Sequence, residues 1–159
     1  MFYRLFILVS LFGASLFAKS PVSNMILEKA VFEEQVAVDT LGVKTRKLVP
    51  VKMVQHGATI VYVNRLSNRA RVAQKNIVVL NPIPFKTSYL RGSATCEGSC
   101  EILFSIDGGK SFSVGEKLYV LYGKRRRVAS GSEYTHIKFT FPTLKAFSKT
   151  RMAFKAKLK

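Results

Sequence analysis

Beyond a short Ser/Pro leader at residues 19–24, apolar residues recur at every second position or in short runs, and turn residues break the pattern at roughly ten-residue intervals. This is the spacing of β-strands, whose side chains alternate between two faces. Met25 to Val38, interrupted by Glu28, Lys29 and Glu33-Glu34-Gln35, is followed by a hairpin signal at Asp39-Thr40-Leu41-Gly42 and then by Val43 to Val54. Val22 to Val31 is the one stretch where a short helix competes. Ala58 to Asn64 predicts a strand, Arg65 to Arg71 a polar loop, and Val72 to Leu80 a further strand that Asn81-Pro82-Ile83-Pro84 brings to an end.

Thr87 to Ala94 and Glu101 to Ile106 flank a pair of cysteines, Asp107-Gly108-Gly109-Lys110 reads as a tight turn into a short segment at Ser111 to Val114, and Lys117 to Tyr122 leads into a basic loop at Gly123 to Gly131. Alternation is cleanest at the end: Ile137, Phe139 and Phe141 share one face of Thr135 to Phe141, and Met152, Phe154, Ala156 and Leu158 share one face of the last strand. The pattern predicts an all-β domain over residues 25–159, an immunoglobulin-like antiparallel sandwich of about seven to eight strands. Met25 to Val38 or the Lys-rich last strand would be its edges, open to pairing with a partner protein.

The N-terminus follows another rule. Arg4, the apolar run from Leu5 to Phe17, and Ala18-Lys19-Ser20-Pro21 match the three parts of a signal peptide over residues 1–18. The run is shorter than the roughly 20 apolar residues of a bilayer span, although an uncleaved N-terminal anchor is the alternative. Periplasmic or secreted localisation follows, with no transmembrane span in the mature chain.

Composition then changes the picture in one respect. The 159 residues carry 26 Lys+Arg against 9 Asp+Glu, a formal charge of +17, of which losing Arg4 and its one charge leaves +16. Such a charge suggests nucleic acid, but export and the absence of any recognition motif argue against it. Lipopolysaccharide, anionic lipid or peptidoglycan are the acidic partners outside the cytoplasm. Arg65, Arg69 and Arg71 form one candidate anion-binding cluster and Lys124, Arg125, Arg126 and Arg127 another; loops gather at the ends of a sandwich, so the two can join into one surface or remain merely solvated.

Cys96 and Cys100 sit at the tip of an expected hairpin, where an oxidising compartment favours a structural disulfide; a redox dithiol is the alternative. Asp107, Gly108 and Gly109, within Ser105 to Phe112, resemble the Asp-box hairpin, a structural turn. Tyr134 stands where a sandwich places a tyrosine corner. No nucleophile elbow, zinc-binding helix or phosphate loop is present, so the expectation is a protein without catalytic residues, metal or cofactor.

Gly57 to Asn64, Ala73 to Pro84, Thr87-Ser88-Tyr89 and Gly92-Ser93-Ala94 together resemble the bacterial conserved-repeat domain of unknown function numbered eleven. Phe104 to Gly109, Tyr134 to Ile137 and Phe154 to Lys159 resemble its single-domain exported proteobacterial members. The resemblance spans about residues 25–159 and implies an immunoglobulin-like sandwich at the cell envelope, with no activity attached; the cysteine pair departs from the family pattern. The resulting expectation is an exported, non-enzymatic envelope module that acts by binding or structural participation, or else a binder of anionic envelope ligands through basic loops.

Overall fold

The computed structural model describes residues 24–159, so the expected signal peptide lies outside the described residues. Eleven strands follow in order: β1 (Met25–Val38), β2 (Lys44–Pro50), β3 (Thr59–Asn68), β4 (Gln74–Pro82), β5 (Thr87–Tyr89), β6 (Thr95–Cys96), β7 (Glu101–Ser105), β8 (Tyr119–Tyr122), β9 (Arg125–Val128), β10 (His136–Leu144) and β11 (Lys149–Leu158). One sheet runs β2-β1-β3-β11-β5, with β6 also on β11; a second runs β4-β10-β7; β8 and β9 form a separate ribbon. All pairings are antiparallel.

The period of two decides where the core lies. Ile137, Phe139 and Phe141 of β10 and Met152, Phe154 and Ala156 of β11 are all at 2% exposure or less, and these inner faces of the two sheets supply much of the core. Burying each large side chain among them stabilises the fold by about 1.5–3 kcal/mol. The all-β, two-sheet arrangement expected from the sequence is therefore present. Its strand order differs from that of an immunoglobulin constant domain, which keeps its last two strands in one sheet: here β10 and β11 lie in different sheets.

Both ends of the sandwich are tied by specific bonds. At one end the buried Asn68 side chain donates to the carbonyls of Val72, Leu144 and Lys145 and accepts from the Ala70 amide. It thereby joins the β3–β4 turn to the β10–β11 turn. At the other, Tyr89, Phe104 and Tyr134 form a ring cluster with centroids 5.2 to 5.5 Å apart. The Tyr89 amide donates to the Gly131 carbonyl at 3.0 Å there. Between the sheets, the Asn64 amide donates to the Asn81 side-chain oxygen.

Several expectations are corrected. Met25–Val38 is the strand the alternation predicts, and within it Met25–Val31, where a helix competes in the sequence, pairs along its length with β3. Arg65 belongs to β3 rather than to a loop, because Leu66 and Asn68 continue the inward alternation. Arg125–Val128 is likewise a strand, paired with β8. Ser111–Val114 is reduced to an isolated bridge between Phe104 and Ser113. The Lys-rich last strand is interior to its sheet, between β3 and β5, so it is no edge; β2 and β5 end that sheet's order, and β2 pairs with Met25–Val38 only from Phe32 onward. β6 and β7 do not face each other as a hairpin, for β6 pairs with β11 and β7 with β10.

Candidate functional site

The Lys124–Arg127 run sits on a two-residue hairpin. Gly123 takes φ 61° at its first turn position, a backbone angle that glycine adopts without strain. Because β9 alternates, the four cations do not act as one patch. Arg126 lies with Leu121 on one face, its guanidinium 3.7 Å from the centre of the Tyr119 ring. Arg127, on the other face, is held by Glu133 through two bonds of 2.7 and 2.8 Å. That pairing, with the Ser130 amide also donating to Glu133, brings the Glu133 carboxyl down to about 2.

Among the described residues Lys124 and Arg125 have no carboxylate within ion-pair distance. Beside them Leu121 and Tyr122 are 80% and 77% exposed. The hairpin therefore ends in an aliphatic and an aromatic side chain flanked by two free cations. Its root is firm: Leu118 and Ala129 are buried, the Ala129 amide donates to the Leu118 carbonyl, and Val120 packs on the core.

The second cluster is divided. Arg65, on the outer face of β3, lies 3.9 Å from Glu28, whereas Arg69 and Arg71 are exposed in the β3–β4 turn. That turn shares its end of the sandwich with Lys145–Ser148. The hairpin root belongs to the opposite end, for Gly131 bonds to Tyr89, which pairs with Ala156 near the far end of β11. The structure thus does not bring the two clusters together.

Cys96 and Cys100 are joined by a disulfide with Cα atoms 6.5 Å apart. The bond links a strand of one sheet to the start of β7 in the other. Asp107 is a turn residue: Oδ1 accepts from the Ser105 hydroxyl and the Lys110 and Ser111 amides, and Oδ2 from the Ser111 hydroxyl. These bonds hold its carboxyl well below the usual range. Gly108 and Gly109 have φ of 77° and 86°, which explains their place beside it. The Tyr134 hydroxyl donates to the Gly115 carbonyl at 3.2 Å, fixing a 3-10 turn nineteen residues upstream, a longer reach than a local corner.

A third basic surface was not anticipated. On the outer face of the larger sheet, Val61 and Val63 point away from the core yet are only 5% and 9% exposed. Beside Val61 a cavity of about 550 Å³ is lined by Glu34 of β1, Arg46 and Leu48 of β2, Arg91 of the loop after β5, and Arg151 and Lys155 of β11. Arg151 also lines an adjoining cavity of about 370 Å³ with Ala30, Phe32, Val63 and Arg65. Among the described residues no three His, Cys, Asp or Glu side chains group as metal ligands, and no helix is long and apolar enough to cross a membrane.

No protein-family model, curated protein or solved structure matches this chain.

Proposed function

We propose that the chain is an exported, non-enzymatic envelope module that attaches to an anionic membrane surface through the β8–β9 hairpin. The observation that carries this reading is the tip itself: Leu121 and Tyr122 exposed beside Lys124 and Arg125, which have no ion-pair partner among the described residues, on a root anchored in the core. An amphipathic aromatic ring favours the headgroup level of a bilayer, and each Lys or Arg near an anionic surface contributes about 1 kcal/mol. The Cys96–Cys100 disulfide suits an oxidising compartment, in keeping with the N-terminal signal peptide. The resemblance to the conserved-repeat family belongs to the same proposal.

Flotation with phosphatidylglycerol vesicles tests it. The protein should float with them at low salt, lose them as salt screens the charges, and lose them in the K124S/R125S variant. Equal flotation with phosphatidylcholine, or no effect of the variant, would overturn it.

Strand addition by a partner protein is a second reading, favoured by the open edge of β2, which pairs only with β1.

A further inference from the structure

We infer that the outer face of the larger sheet is a second, separate binding site, for an amphiphile bearing a phosphate group. The strand order β1-β3-β11 stacks three rows of outward residues there: Glu28, Arg65 and Arg151; then Ala30, Val63 and Ala153; then Phe32, Val61 and Lys155. Solvated sheet faces are normally polar. Here the middle row is small and apolar and the third row adds Phe32 and Val61, so an apolar centre is bordered by a charged row on one side and by Lys155 on the other.

The margins are unevenly neutralised. Glu28 lies near Arg65 and Glu34 accepts from Lys155, which satisfies two cations. Arg46, Arg91 and Arg151, reaching the same cavity from three different parts of the chain, have no carboxylate within ion-pair distance among the described residues. Guanidinium groups take phosphate oxygens two at a time, which lysine cannot do. The same cavity is also lined by Leu48, Val61 and Ala153, and Leu48, 44% exposed, gives an alkyl chain apolar surface to take out of water. A phosphate between Arg91 and Arg151, with its chain lying over Leu48 and Val61, uses both features. A free phosphate would use only the first.

The site shares no residue with the hairpin, so the two proposals fail independently. Calorimetric titration of the purified chain with dihexanoyl phosphatidic acid, as monomer, tests it, alongside inorganic phosphate and dihexanoyl phosphatidylcholine. Phosphatidic acid should saturate a single site and bind at least tenfold more tightly than either of the others. R91S/R151S should weaken it at least tenfold, A153M, which fills the floor and keeps every charge, severalfold, and K75S, which removes an exposed charge from β4 in the other sheet, not at all. Affinity for inorganic phosphate equal to that for phosphatidic acid, binding that survives R91S/R151S, or no binding at all would each overturn the proposal.

Discussion

Glu133 receives both amine groups of the Arg127 guanidinium at 2.7 and 2.8 Å, and so removes one arginine of the basic run from the pool of free cations. The same carboxylate accepts from the Ser130 amide and hydroxyl, which ties β9 to the segment leading into β10. Held at about 2, Glu133 is ionised in the folded chain under conditions where an unfolded glutamate is already protonated. Its folded value is lower than its unfolded one, so its contribution is complete above pH 4.5 and disappears as the pH falls towards 2. Thermal unfolding of the wild type and E133Q should therefore differ at neutral pH, with the wild type more stable, and converge near pH 2. A constant difference across that range would contradict the pairing.

Gly131 has a steric role. A Cβ there would lie 2.0 Å from the Tyr89 carbonyl oxygen, in a backbone contact that cannot yield without breaking the junction between β5 and the hairpin root. Gly131→Ala should cost about 2 kcal/mol or more in denaturant unfolding, against a negligible change for Ser99→Ala in the exposed cysteine loop.

The disulfide joins the two sheets across a short loop. Replacing both Cys96 and Cys100 with serine should lower stability by about 2 kcal/mol if the cost is chain entropy, while leaving the strand signal in circular dichroism intact. Both effects are read in one urea titration.

Beyond Glu34, β1 pairs only with β2, so Gln35–Val38 and Lys44–Lys47 form a two-stranded arm off the body of the sheet. Val36, Val38, Leu41 and Val43 are all more than half exposed on it. An isolated ribbon of this kind is marginal in water. Amide exchange in residues 35–47 should therefore be orders of magnitude faster than at Ile137 and Phe139, whose amides lie in the β4-β10-β7 core.

What was legible in the sequence follows the alternation. Ile137, Phe139 and Phe141, and Met152, Phe154 and Ala156, could be assigned to the core because each strand has one face in the interior. The hairpin strand Arg125–Val128 reads as loop in the sequence because all four of its residues are exposed, and its three successive arginines look alike whichever side they take. Arg65 reads as loop for a related reason: the polar Ser67 and Asn68 are buried by hydrogen bonding and packing, which apolar periodicity does not register. The Arg46, Arg91 and Arg151 surface was out of reach, since those residues converge only through a strand order that places the last strand beside β3. One signal did exist: Ile60-Val61-Tyr62-Val63 is apolar at consecutive positions, the mark of a strand covered on both sides.

The central claim is that the hairpin tip enters an anionic membrane interface, and the chain contains 0 Trp, so a single substitution reports on it directly. Tyr122→Trp places the sole tryptophan at the tip. Its emission should shift to the blue and gain protection from aqueous quenchers on addition of phosphatidylglycerol vesicles, and should stay unchanged with phosphatidylcholine. Emission that remains that of a water-exposed indole while the protein floats with the anionic vesicles would show that another surface makes the contact, and would contradict the account.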